Sequence, residues 1–211
     1  MTPPVFPAGR SSGHRTPMAA AVAVFITVFL ITVIIATAVT FVLPESFAGT
    51  ARVKVDASIS STNAYDPYFI QTEFEIIQSQ LVLEPVIAKL NLNVEWGKKY
   101  FNGETLKTTE TLEILKGRLS LAPVRGTKLI AITVYSDDRR EAAAVANAVA
   151  GSYLDYAAKK SIKAEITDRA EPAMQPCRPN KPLNIALGAA AGTFLGALAA
   201  VIVGLFASRK G

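Results

Sequence analysis

Side chains able to do covalent or metal chemistry are scarce in this chain, and the scarcity is informative. There is one cysteine, Cys177, and one histidine, His14. A single cysteine excludes an intramolecular disulfide and a cysteine metal cluster. With one histidine, placed in a Pro/Ser/Gly-rich tail, neither a transition-metal site of the usual His/Cys kind nor a Ser-His-Asp or Cys-His nucleophile can be assembled. No G-x-x-x-x-G-K-[ST] loop is present to cradle a nucleotide phosphate. The chain is therefore expected to be non-enzymatic, with no catalytic residue, no cofactor and no metal.

The remaining features point to contact. Glu73, Glu75, Gln78 and Gln80 line the polar side of a predicted helix. They read either as a solvated face or as an inter-subunit surface, with Glu75 and Gln78 as the candidate contacts; paired carboxylates on a helix are weak grounds for acid–base catalysis. Trp96, Tyr100 and Phe101 could stack on a sugar ring, plug a core or rest at a membrane interface. Pro172, Pro176, Pro179 and Pro182 precede a long apolar run, with Arg178 and Lys181 among them. The last three are spaced by three, the period of polyproline II, which suits either a stiff connector or a docking rib. Gly188, Gly192 and Gly196 repeat every four residues, which puts them on one helix face where another helix can approach closely. That other helix is either the first apolar segment of the same chain or a segment of another.

These features must be positioned by two apolar segments and the region between them. Met18–Leu43 and Leu183–Ala207 contain no charged residue over 26 and 25 positions. Each exceeds the roughly 20 residues needed to cross a bilayer core. A signal peptide would have an apolar core of only about 7–15 residues and a small-residue cleavage site, so the first segment reads as an uncleaved anchor. The chain has 22 Lys/Arg against 17 Asp/Glu and a pI near 9.3, which invites a nucleic-acid reading. Residues 44–182, however, hold 18 of those cations and all 17 acids. The other four cations, Arg10, Arg15, Arg209 and Lys210, flank the outer ends of the two apolar segments. That is the positive-inside pattern, and it assigns both termini to the cytoplasm and excludes nucleic acid as the partner.

The expected organisation is a cytoplasmic tail (1–17), a transmembrane helix (18–43), a periplasmic α/β domain (44–182, Pro-rich over 172–182), a second transmembrane helix (183–207) and a short tail (208–211). In the middle region, alternation predicts a strand over Ala51–Ile59. Asp66-Pro67 opens a helix whose apolar stripe is Ile70, Phe74, Ile77 and Leu81. A second helix covers Val86–Leu90, with Pro85 near its start, and Trp96–Gly103 is loop-like. Leu106–Leu115 is helical and closes near Gly117. Leu119–Val124 and Lys128–Tyr135 form a hairpin about Arg125-Gly126-Thr127. Ser136 caps a helix carrying Ala142, Val145, Val149, Tyr153 and Tyr156 on one side, and Ile162–Ala170 is the last strand. The first and last strands are expected to lie close together on a sheet covered by helices.

Taken in order, several segments resemble the Wzz chain-length determinant, or polysaccharide co-polymerase, family. They are Phe69-Ile70-Gln71-Thr72-Glu73-Phe74-Glu75-Ile76-Ile77-Gln78-Ser79, Val82-Leu83-Glu84-Pro85-Val86-Ile87 and Thr127-Lys128-Leu129-Ile130-Ala131-Ile132 with the Ala/Asn-rich helix after it. Asp168-Arg169-Ala170 with Pro172, and Pro176-x-x-Pro179-Asn180-Lys181 running into the glycine-bearing segment, complete the set. The resemblance implies a homo-oligomeric inner-membrane protein governing the length or export of a surface polysaccharide such as lipopolysaccharide O-antigen, capsule or exopolysaccharide. It implies as partners membrane lipid, a Wzy-type polymerase or an export channel, and in some systems a separate tyrosine kinase. The alternative is an accessory activator of such a cytoplasmic autokinase. The long helices that typical members insert before the last strand are missing here, since Lys160 is followed almost at once by Ile162. The fused kinase domain is also missing. At the position closest to the family's E-x-x-R-x-x-R motif stands Glu75-x-x-Gln78-x-x-Leu81.

Overall fold

The computed structural model describes residues 17–56 and 67–208. The end of the first expected strand (57–59), the cap expected at Asp66, His14 and the four flanking cations lie outside the described residues. The chain divides into two compact units, one made of its two ends and one covering Pro44–Pro179.

The end unit is a pair of helices long and apolar enough to cross a membrane, α1 (Pro17–Val42) and α7 (Lys181–Ser208). Their threonines satisfy themselves: Thr27, Thr32, Thr40 and Thr193 each donate to the carbonyl four residues back, at 2.7–2.8 Å. The glycine run is the contact face. A Cβ added at Gly188 would meet the Cβ of Ala36 at 2.5 Å. At Gly192 it would sit 3.2 Å from the Phe29 carbonyl oxygen, and at Gly196 3.0 Å from that of Phe25. Of the two arrangements open from spacing, the glycines face the first helix of their own chain. Ile26, Ile34 and Ile35 of α1, and Phe194, Leu198 and Val201 of α7, are exposed.

The middle unit follows β-α-β-β-α-β logic, with several helices in the first helical slot. Its elements are β1 (Phe47–Asp56), α2 (Pro67–Ile77), α3 (Gln80–Lys89), α4 (Leu92–Tyr100), α5 (Thr108–Arg118), β2 (Leu119–Pro123), β3 (Leu129–Ser136), α6 (Arg139–Lys159) and β4 (Lys163–Asp168). The sheet order is β2-β3-β1-β4 with every pair antiparallel, the split β-α-β arrangement. The first and last strands do pair, with Val53 opposite Ile166 and Val55 opposite Ala164.

Strand periodicity explains the layering. Ala51, Val53 and Val55 of β1 and Ile130, Ile132 and Val134 of β3 are buried under the helices, while Arg52, Lys54 and Asp56 lie on the opposite face. On that face Arg52 meets Asp168 at 2.8 Å, Lys54 meets Glu165 at 3.3 Å, and Lys128 meets Asp56 at 3.1 Å. These exposed pairs contribute little to stability individually. They do match the β1–β4 register, because a one-residue slip would move every charge to the core face. Gly49 lets α6 come down on β1: a Cβ there would stand 2.5 Å from the backbone of Ala142 and Ala143.

Four local expectations are corrected. The stripe from Ile70 to Leu81 is not one helix, because the chain turns at Ser79, whose hydroxyl donates to the Ile76 carbonyl at 2.6 Å. After that turn Val82, Leu83, Val86 and Ile87 are inside and Leu81 is 69% exposed. Residues 96–103 are not all loop, since Leu92 and Trp96, one helical turn apart, bury α4. The helix cap is Asp138, whose carboxylate accepts from the Arg140 N–H at 2.7 Å; Ser136 instead accepts from the Asp138 N–H. Pro182 belongs to the first turn of α7, where a missing N–H is harmless, so it does not extend a proline rib.

The glycine packing yields a direct check. In a Cys177→Ser background, Thr32→Cys with Gly192→Cys should give an oxidant-dependent intramolecular cross-link, read as loss of two maleimide-reactive thiols. The Thr32 Cβ is 3.4 Å from the added Cβ position, near the span of a disulfide. Moving the second cysteine to Thr193, on the exposed side of α7, should abolish the cross-link.

Candidate functional site

The sequence-predicted contact residues fall into three separate places. Glu75 is exposed on α2 and Gln78 sits in the turn after it. Pro172, Pro176 and Pro179 lie in the irregular segment after β4. Lys181 is the first residue of α7, over the Phe41 ring at 5.1 Å, and Gly188, Gly192 and Gly196 face α1.

The proline segment is tied down at two points, as a connector requires. Asn147 on α6 both donates to the Ala170 carbonyl and accepts from the Ala170 N–H, each at 2.8 Å. Farther on, the Ser46 N–H donates to the Arg178 carbonyl at 3.0 Å, and the Cys177 N–H donates to the Ser46 carbonyl at 2.8 Å. The Arg178–Pro179 bond is cis. The residues that lead toward the two apolar helices thus leave the α/β unit from one corner, side by side.

One polar group expected on a surface is internal. Glu73 is 2% exposed, and its carboxylate accepts from the Tyr153 hydroxyl at 2.6 Å. Burial pushes the Glu73 carboxyl up and the tyrosine hydrogen bond only partly offsets that. Burial, then Glu73 itself, pushes Tyr153 up as well. Ser152 of α6 donates to the Val82 carbonyl at 2.6 Å, so α2 and α3 are both pinned to α6. Between α3 and α6 runs a groove of about 410 Å³ lined by Leu81, Pro85, Tyr156 and Lys159.

The aromatic segment plugs the core. Trp96 is 1% exposed, donates to Glu141 at 2.6 Å, and is covered by the Arg118 guanidinium 4.6 Å from its ring. Arg118 also lies 4.6 Å from the Tyr100 ring. Lys99 contacts Asp137 at 2.5 Å and Glu141 at 2.9 Å, and the Tyr100 hydroxyl donates to Asp137 at 2.6 Å. Burial alone would raise Asp137, but the bonds from Lys99, Tyr100 and Ser136 outweigh it and hold its carboxyl at about 2. Burial likewise opposes the charge on Lys99, and its partners still raise it above its ordinary value. The network joins α4, α5 and the β3–α6 corner, and it leaves the Trp96 face no room to stack on a sugar.

Beside this network, at the corner where Ser46 meets Arg178, is an open depression of about 380 Å³. Tyr100, Arg118, Tyr135, Asp137 and Arg178 line it, with Glu45 among the other lining residues. Arg178 is stacked over the Tyr135 ring at 4.3 Å. Sequence reading singled out Arg178 only as a member of the proline segment; Tyr135 and Arg118 carried no local signal, because three different elements bring them together. No protein-family model matches the chain, and no curated protein matches its sequence.

The buried pair gives a signed pH prediction. A carboxyl raised by folding costs stability as pH rises through its folded pKa. Relative to the parent, Glu73→Gln should therefore gain stability between about pH 4.3 and neutrality, and gain nothing further below that window. Tyr153→Phe, which leaves the carboxylate unpartnered, should lose about 1–3 kcal/mol at pH 7. Urea unfolding followed by Trp96 fluorescence reads both.

Proposed function

We propose that this chain is a polysaccharide co-polymerase of short form, working in the inner membrane as a homo-oligomer that sets the length or export of a surface polysaccharide. In this reading the α1–α7 pair crosses the membrane, the α/β unit is periplasmic, and a Wzy-type polymerase or an export channel is the partner. The observation that carries the reading is the corner at Ser46 and Arg178. One α/β unit is closed by pairing of its first and last strands and held at a single corner by the two segments that run to apolar helices. That construction suits a scaffold that works at a membrane surface. The segments that resemble the Wzz family supply the rest: two of them are α2 and α3, the helices pinned to α6, and their outer residues Glu75, Leu81 and Glu84 are exposed and available to a neighbour.

Deleting the gene should change the modal length or the amount of surface polysaccharide resolved by gel electrophoresis, and a plasmid copy should restore it. An unaltered polymer profile would overturn the proposal. Orientation has its own probe, because Cys177 is exposed. A membrane-impermeant maleimide should label it in intact spheroplasts, and labelling that requires lysis would reverse the assigned topology.

A further inference from the structure

The depression at the Ser46–Arg178 corner is built around a cation that has been placed but not neutralised. The neighbouring cations Lys99 and Arg118 both pair with carboxylates. Arg178 has no carboxylate within ion-pair distance among the described residues. Its position is nevertheless fixed. The backbone is bonded to Ser46 in both directions, at 3.0 and 3.3 Å, and the guanidinium carbon lies over the Tyr135 ring, 4.3 Å from its centre. Stacking leaves the in-plane N–H fork of an arginine free, which is the geometry that grips a phosphate bidentately.

The lining of the depression includes a second guanidinium. Arg118 lies 4.6 Å from the centres of both the Trp96 and Tyr100 rings, and a single one of its nitrogens reaches Glu141 and the Tyr100 hydroxyl, each at 3.4 Å, which leaves its other N–H donors for a ligand. Two acids also line the depression, and neither is free to cancel this: the Asp137 carboxylate is engaged by Lys99, Tyr100 and Ser136, and Glu45 has an interaction of its own. The volume is at the small end for a ligand site and suits a headgroup better than a ring system. Connectivity adds a constraint: Arg178 is three residues from the start of α7, and Ser46 three from Leu43, where the first apolar run ends. Three residues span at most about 10 Å.

We propose that Arg178 and Arg118 make this depression a binding site for a phosphate group, carried either by an anionic lipid headgroup or by a soluble phosphate or diphosphate. The site does not depend on the polysaccharide reading, and it is tested on purified full-length protein with no polymer present.

Trp96 is the sole tryptophan and lies under Arg118, so its fluorescence reports a ligand that engages that guanidinium. In neutral detergent, sodium pyrophosphate is titrated at constant ionic strength in one arm. In the other, phosphatidylglycerol is titrated into the same micelles, with phosphatidylcholine as the comparison. A saturable change is expected in at least one arm: with pyrophosphate if a soluble phosphate suffices, with phosphatidylglycerol alone if the headgroup must be presented by lipid. Arg178→Gln should raise the half-saturating concentration about tenfold or more. Arg178→Lys, which keeps the charge but not the flat fork, should fall between. No saturable response in either arm, or an equal response in parent and both variants, overturns the site. Should Arg178→Gln alter the ligand-free Trp96 spectrum, Arg178→Lys and Arg118→Gln decide the outcome by the same criterion.

Discussion

The α/β unit depends on β1 being a central strand with partners on both sides. A strand that follows directly on a long apolar segment would, unpaired, present a row of free N–H and C=O groups. Here β3 satisfies one edge and β4 the other, and β4 comes from the far end of the unit. The pairing closes the longest loop in the domain, and loop-closure entropy opposes it. The apolar face of β1 supplies the compensation: Ala51, Val53 and Val55 are buried under α6, and each fully buried valine contributes roughly 1.5–3 kcal/mol. Gly49 is what allows α6 to sit close enough for that. The paired strands then fix where the chain enters and leaves, and the Ser46–Arg178 bonds follow from the same closure.

Helices α2 and α3 are held by a different device. Their apolar contacts with α6 are supplemented by two polar pins, Tyr153 to Glu73 and Ser152 to the Val82 carbonyl. A buried carboxyl is costly, and its value lies in direction. It has one hydroxyl to face, so it fixes the rotation of α2 where apolar side chains alone would tolerate sliding. Asn147 does the same for the segment after β4 by matching both polar groups of Ala170. In each case the pin is set into α6, which packs on the sheet with one side and receives the pins along its length.

Period-two alternation exposed β1, β3 and β4 in the sequence, and the turn residues about Gly126 exposed the hairpin. The two apolar helices were legible from composition alone. Glu73 was misread although its neighbours held the clue, since Ile70, Glu73 and Ile77 lie three and four apart on one stripe, and Tyr153 stands on the facing stripe with Val145 and Val149. The α4 helix was missed because Gly97 and a cluster of aromatics resemble loop composition. Gly97 is there for close approach, as a Cβ would overlap the Glu104 carbonyl oxygen. The proline spacing suggested a continuous rib, but spacing carries no record of the tertiary bonds to Ser46 and Asn147 that bend the segment. The depression could not be read at all: Arg118, Tyr135 and Arg178 come from α5, β3 and the connector.

The glycine run shows how a local signal can be read correctly and still leave its partner open. Small residues every four positions require a close helix, and α1 is that helix. With the glycine face covered, the outer sides of α1 and α7 offer isoleucine, leucine, valine and phenylalanine, side chains that lipid solvates as well as another helix would. Association between copies, where it occurs, then has its polar and shaped contacts on the α/β unit. There the exposed line of Glu75, Leu81 and Glu84 and the groove edged by Lys159 offer complementary charge and relief that the apolar helices lack.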